Sequence, residues 1–313
     1  MKKYIGRRLL QLIPIILGIT FLSFGLMQTA AGNAVDALYD NASGGVTEQV
    51  KAEKRAELGL DKPFLIQYGN WLEGVISGDM GVSYISKKLV FETFISKLPA
   101  TIYLTITSIL LTIFISIPFG ILAAVKRNQF MDYFIRMMSF IGNSMPSFFI
   151  SLLLIYFLAL KLNIFPVMGN KEGWKSIVLP AFTLAIAMSS KYTRQVRATI
   201  LEELNKDYVM GARARGIQES VIFYASVLRT VMLNIITLLA LSIGSLLGGT
   251  TIVETIFMWD GVGKLAVDSI TMRDYPMIQA YVIWMALIYV AVNLITDILY
   301  HYLDPRINII ERK

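Results

Sequence analysis

Few residues in this chain could carry proton chemistry. Glu254 closes one apolar run, and Asp297 lies one turn after Asn293 in another. Lys191, Arg194 and Arg197 follow at helical spacing where a third run should leave an apolar environment. An ionisable group inside such a run is costly to desolvate. It therefore marks an ion or proton pathway, or else sits at the run's end, where water reaches it. All five charges lie near run ends, which favours interfacial charge over a relay. Covalent chemistry lacks its usual groups. The chain has no Cys and a single His, His301, which excludes disulfides, thiolate nucleophiles, Cys-based metal or iron–sulfur sites and any His-rich ligand set. No GxxxxGK[ST], GxSxG or HExxH pattern occurs, so neither a phosphate loop, a nucleophile elbow nor a zinc-binding helix is encoded. No catalytic residue, metal site or bound cofactor is expected on this chain.

The elements that must hold these charges follow from composition. By length alone, 313 residues would allow two soluble domains. Yet 55% of residues are hydrophobic and 16% charged, where soluble chains carry about 25% charge. Mean hydropathy is +0.60. Disorder is excluded and a membrane protein is indicated. Six runs lack Asp, Glu, Lys and Arg: 9–35, 98–125, 137–160, 176–190, 230–253 and 275–296. Five reach the roughly 20 residues a span needs. The run 176–190 is short; it predicts a helix extending past Lys191 towards Val196 with the charged heads snorkelling, the alternative being a re-entrant or interfacial helix. Lys2, Lys3, Arg7 and Arg8 precede the first run. That run exceeds the roughly 7–15 apolar residues of a secretory signal, so a retained span is expected. With the N-terminus in the cytoplasm, the inward segments 1–8, 126–136, 191–229 and 301–313 carry an excess of positive charge, and the outward ones do not. The positive-inside rule then places both termini in the cytoplasm. The net charge of +7 is explained without nucleic acid.

Two connections are long enough to do more than connect. The outward segment 32–97 is punctuated by Gly44-Gly45, Gly59, Pro63 and Gly78. Within it, 47–58 reads as a polar helix capped by Thr47, and 64–76 as an amphipathic helix with Leu65, Tyr68, Leu72 and Val75 on one face. The inward segment 197–229 begins as a helix supported by Glu202, Glu203 and Lys206. Gly211 and Gly216 punctuate it, and Ile217, Val221 and Tyr224 suggest a further short helix. It reads either as a loop on the headgroups or as two short helices joined at Gly216 and presented as a docking surface.

Asp207-Tyr208-Val209, Ala212-Arg213-Ala214-Arg215-Gly216 and Leu228-Arg229 together resemble the permease signature of binding-protein-dependent ABC importers. More specifically, the chain resembles the first permease subunit of the dipeptide/oligopeptide/nickel family. Matches run along the whole chain, through Arg7-Arg8-Leu9, Leu58-Gly59-Leu60-Asp61-Lys62-Pro63, Gly78-Asp79-Met80-Gly81-Val82-Ser83, Ser144-Met145-Pro146, Glu254-Thr255-Ile256-Phe257-Met258-Trp259, Asp274-Tyr275-Pro276, Gln279 and Asp304-Pro305-Arg306. The resemblance implies an all-α integral membrane protein with six transmembrane helices, both termini cytoplasmic, and type I ABC importer permease architecture. It divides the chain into a tail with the first transmembrane helix (1–35), an extracytoplasmic segment (36–97) and a five-helix core (98–313) containing a cytoplasmic coupling segment (199–229). Asp207, Tyr208, Ala212, Arg213, Ala214, Arg215, Gly216 and Arg229 would contact an ATPase. The implied partners are a second homologous permease, two ABC ATPases holding ATP and Mg, an extracytoplasmic substrate-binding protein docking on 32–97 and the 260–274 loop, and the lipid bilayer. The implied cargo is nickel, as a chelate, or di- and oligopeptides, and the short connection 163–179 favours the nickel-type branch. A proton- or ion-coupled secondary transporter is the alternative; it calls for a midplane acid and an inverted repeat, and neither is visible in the sequence.

Overall fold

The protein was analysed as a computed structural model that describes residues 2–29, 34–39, 47–169 and 173–303. Gly44-Gly45 and Asp304-Pro305-Arg306 lie outside these residues, as do the side chains of Asp297 and His301. Regular structure among the described residues is helical apart from an isolated bridge between Val82 and Leu89. The elements are α1 (Lys2–Thr29), α2 (Ala34–Tyr39), α3 (Glu48–Glu57), α4 (Phe64–Ile76), α5 (Val90–Val125), α6 (Phe130–Ser144), α7 (Ser147–Leu154), α8 (Trp174–Glu203), α9 (Asp207–Ala214), α10 (Glu219–Val221), α11 (Leu228–Ile256), α12 (Val262–Thr271) and α13 (Tyr275–Leu303). Wider π-helical turns extend α7 over Ile155–Lys161 and join α10 to α11 over Ile222–Val227.

Among the described residues, three helical stretches are long and apolar enough to cross a bilayer: Leu10–Met27, Val90–Val125 and Tyr275–Thr296. A fourth is a bent pair, Phe130–Ser144 with Ser147–Lys161, turning through 104°. The run 137–160 is therefore not one straight span. Pro146 has no N–H to continue the ladder and disfavours helix at Met145, whose ψ is 129°. Of the run 9–35, residues 9–29 lie in α1 and residues 34–35 in α2. The short run 176–190 lengthens as expected, past Lys191 and Val196, into the 30-residue α8. Because α8 begins at Trp174, residues 174–179 are helix, and the connection read as 163–179 is shorter still.

The chain forms two compact units. One comprises Met1–Thr101 and Asp260–Ala291. In it, Phe21 and Phe24 of α1 meet Phe64 and Tyr68 of α4 edge to face at 5.3–5.7 Å, and Trp71 lies 6.4 Å from Phe24. The face of α4 that meets α1 is thus Phe64, Tyr68 and Trp71; of the expected face, Tyr68 is shared, Leu72 and Val75 are half-buried, and Leu65 is 68% exposed. Ring packing outweighs aliphatic periodicity here. Thr47 occupies the N-cap position of α3, but its side chain makes no capping bond. The loop after α4 is pinned by Asp274, whose carboxylate accepts bonds from the Ser83 hydroxyl (2.5 Å) and the Tyr84 N–H (3.0 Å). Lys97 pairs with Asp260 at 2.5 Å, and the Val262 N–H donates to Thr101 Oγ1 at 2.9 Å. Phe94 stacks on Trp284 with centroids 5.7 Å apart.

The other unit comprises Ile102–Trp259 and Val292–Lys313. One apolar cluster in it joins Ala124, Tyr192, Val196, Ile200, Val209, Ala212, Ile222, Val227, Val231 and Ile235. These residues come from α5, α8, α9, the π segment and α11, so this cluster is the seat of the inward segment.

Candidate functional site

Between α8 and α11 the backbone builds a small, firmly ended element. Lys206 is extended (ψ 152°) and α9 starts at Asp207, an acidic residue in the first turn that suits the positive end of the helix dipole. The helix ends in a Schellman turn: the Gly216 N–H donates to Arg213 O at 2.9 Å and the Ile217 N–H to Ala212 O at 3.2 Å. Gly216 has φ +76°, the left-handed value this turn requires. Across the turn, the Arg213 guanidinium reaches both carboxylate oxygens of Glu219 at 2.6 and 3.2 Å. This bidentate contact holds the Glu219 carboxyl below the usual carboxylate range.

Apolar burial fixes the element's orientation. Val209 and Ala212 are buried in the cluster with Val196 and Ile200 of α8 and Val227 and Val231 of α11. Asp207, Tyr208, Met210, Arg213, Ala214, Arg215 and Gly216 are exposed. The Tyr208 hydroxyl donates to Glu203 at 3.0 Å, and burial together with this carboxylate pushes its phenol up to about 12. Glu203 also pairs with Lys206 at 2.8 Å, which closes the bend between α8 and α9. Of the eight candidate residues, seven fall on α9 and its terminal turn. Ala212 is inside, serving as an anchor, and the other six face outward. Arg229 is exposed on the first turn of α11, between the buried Val227 and Val231.

The second short helix differs from expectation. Ile217, Val221 and Tyr224 are exposed, whereas Ile222 and Val227 are buried. The buried pair is five residues apart because this stretch is π-helical, with a period wider than the three-four spacing of an α-helix. The charge at the end of α11 also differs. Glu254 lies at the run's end and is fully buried within the protein. α11 ends there in a backbone turn, with the Trp259 N–H donating to Glu254 O at 2.8 Å and the Gly169 N–H to Phe257 O at 2.7 Å. Arg197 is likewise turned into the protein, its side chain 17% exposed. Its Nε and a terminal nitrogen reach the two oxygens of Asp132 at 2.6 and 2.8 Å. Sequence reading singled out neither Asp132 nor Glu219. Asp132 lies three residues after Gln129 at the start of an apolar helix, a capping position, and its carboxylate accepts the Asn128 N–H at 2.9 Å.

Comparison with known proteins assigns the chain to a family. Residues 116–309 match the model described as binding-protein-dependent transport system inner membrane component, and residues 1–105 match its N-terminal membrane component family. The oligopeptide transport system permease protein AppB of Bacillus subtilis (strain 168) is 40% identical, covering 98% of this chain and 99% of the relative. The glutathione transport system permease protein GsiC is 36% identical in Salmonella typhimurium (strain LT2) and 34% in Escherichia coli (strain K12), with the same coverage. Among solved structures, a chain of the MetNI methionine ABC transporter in an inward-facing conformation superposes with a TM-score of 0.55 at 15% identity, covering 68% of this chain and 97% of that one. A chain of an amino acid ABC transporter with histidines gives 0.52 at 19% identity, covering 69% and 95%. The fold is that of an all-α type I permease. Subunits of this kind form the pathway without catalysing ATP hydrolysis, which belongs to separate ATPase subunits. The chain belongs to the inner membrane components of binding-protein-dependent ABC importers, as a multi-pass permease subunit of the cell membrane.

Proposed function

We propose that this permease forms half of the translocation pathway for di- and oligopeptides, including glutathione-like tripeptides, and that α9 with its Gly216 turn and Arg229 is the element seated in the ATPase. The observation that carries the coupling assignment is the division of α9 into an anchored face, Val209 and Ala212, and an outward face bearing Asp207, Arg213 and Arg215. Such an element can be gripped from outside and still move the helices it is rooted in. Peptide cargo is favoured over nickel by relatives named for oligopeptide and glutathione transport that align over 98% of the chain. In this reading a second homologous permease completes the pathway. Two ATPases carry the ATP and Mg²⁺, and this chain holds no cofactor. A substrate-binding protein docks on the unit in which Asp274, Asp260 and Thr101 tie 81–101 to 260–275. ATP-driven closure of the ATPases swings α9 and switches the helices between outward- and inward-facing states.

Uptake into proteoliposomes containing both permeases and the ATPases, with the binding protein outside, tests this. ATP-dependent uptake of labelled tripeptide, with no accumulation of Ni²⁺ or a Ni²⁺ chelate, is the expected result. ATP-dependent nickel uptake that excess peptide leaves unchanged would overturn the cargo assignment.

A further inference from the structure

Asp132 and Arg197 form a buried clamp with no part in the docking element itself. The Asp132 side chain is fully buried and that of Arg197 is 17% exposed. The carboxylate accepts three bonds, two from the guanidinium and one from the Asn128 N–H. A bidentate pair of this kind fixes distance and orientation together. Breaking one side leaves an uncompensated charge in an apolar setting.

The clamp is one end of a longer junction. Ten residues further along α6, about 15 Å, a Cβ on Gly142 would fall 2.3 Å from Ser190 Oγ of α8. Partners 132–197 and 142–190 place α6 and α8 antiparallel and in close approach between the two points. On another side of the same stretch of α8, a Cβ on Gly120 of α5 would fall 2.5 Å from Val196 Cβ and 3.0 Å from Thr193 O. Val196 and Ile200 then carry Val209 and Ala212 of α9. The second half of α8 is thus held to α9 by apolar packing and to α6 by an ion pair and a glycine contact.

We propose that Asp132 and Arg197 are positioning residues that make α6 travel with α8. They carry the movement of α9 into the bent α6–α7 pair. The idea rests on the importer reading above. Apolar packing alone would let antiparallel helices slide by small steps, whereas a buried bidentate pair resists sliding and rotation alike. α6 meets the 104° break at Met145–Pro146 directly, so displacement of its Asp132 end reorients α7.

The test uses the reconstituted complex with its binding protein. Asp132→Asn keeps the side-chain volume and removes the charge. The expected result is ATPase recovery and ATP hydrolysis within two-fold of wild type, with roughly five-fold less peptide taken up per ATP hydrolysed. Arg197→Lys, which keeps the charge but not the two-pronged geometry, should fall between. Unchanged uptake per ATP in Asp132→Asn would overturn the proposal while leaving the importer reading intact. A wild-type complex without ATP-driven uptake would instead bring down the importer reading itself. Should Asp132→Asn fail to insert, labels at Met138→Cys and Ala198→Cys decide, in a chain that has no other cysteine. In an actively transporting complex their separation should stay within about 2 Å between nucleotide-free and ATP-trapped states. A larger change means that α6 and α8 move independently, and the proposal falls.

Discussion

Gly216 holds the whole turn after α9 through one backbone angle. At φ +76° a Cβ meets no neighbouring atom, so the demand is conformational and not steric. Left-handed backbone costs an L-residue about 1 kcal/mol or somewhat more, so Gly216→Ala should weaken ATPase association by roughly five-fold. Gly216→Pro cannot reach this φ and also deletes the N–H that donates to Arg213 O. It should abolish co-purification of the ATPases while the chain still inserts into membranes. Normal ATPase recovery with the proline variant would show that α9 is not the docking element. Gly120 and Gly142 are demanded for the opposite reason, since there a Cβ would collide with α8.

Among the elements, the stretch from α9 to α11 joins two different kinds of stiffness. α9 is locked by its Schellman turn and by the Arg213–Glu219 pair, while Ile222–Val227 winds with π geometry that is rare in helices and concentrates at functional sites. The Glu219 carboxyl is held below its usual value near 4.5 chiefly by its hydrogen bonds to Arg213. A depressed folded value means that the contact is fully present above the unfolded value and is lost as pH falls through the folded one. Amide exchange at Gly216 and Ile217 should therefore be slow at neutral pH and accelerate only under acid conditions below the ordinary Glu range. In Glu219→Gln it should be faster at neutral pH and lose that acid step. Exchange in the wild type that shows no such step would mean that the pair does not order the turn.

At the scale of the whole molecule, the unit of residues 1–101 and 260–291 has its own anchor for the proposed binding-protein docking. The loop 81–89 is tied to the turn before α13 by the buried Asp274, which accepts bonds from Ser83 and Tyr84. Burial, with Asp274 nearby, pushes the Tyr84 phenol up to about 12, so it stays neutral across the working pH range. Asp274→Ala removes the acceptor for both donors, at about 1–3 kcal/mol for each buried group left unmatched. The expected outcome is loss of ATP hydrolysis stimulated by the binding protein, with basal hydrolysis and ATPase binding retained. Stimulation at the wild-type level would separate this loop from binding-protein docking.

The sequence by itself determined the membrane class, the apolar runs, α4 to the residue, the extension of the short run into α8, and the family through Asp207–Gly216. These follow from local chemistry: hydropathy over about 20 residues, charge at run ends, and glycine where a helix must turn. Only the tertiary structure decided which charges face protein. Arg197 and Glu254 stand at run ends like any interfacial charge, and nothing local distinguishes them. Arg197 is held by Asp132, 65 residues before it, and Glu254 is fully buried by the fold around it. The inward face of α4 was likewise decided by the rings of α1, and that of Ile222–Val227 by a π period that a three-four pattern cannot show. The run 137–160 reads as one span in the sequence; its break at Met145–Pro146 and the 104° turn emerge in the structure, where α6 and α7 both pack on α8. Local sequence sets which elements form and where they end. Which of their faces meet is a property of pairs distant in the chain, and there the clamp and the anchored face of α9 arise.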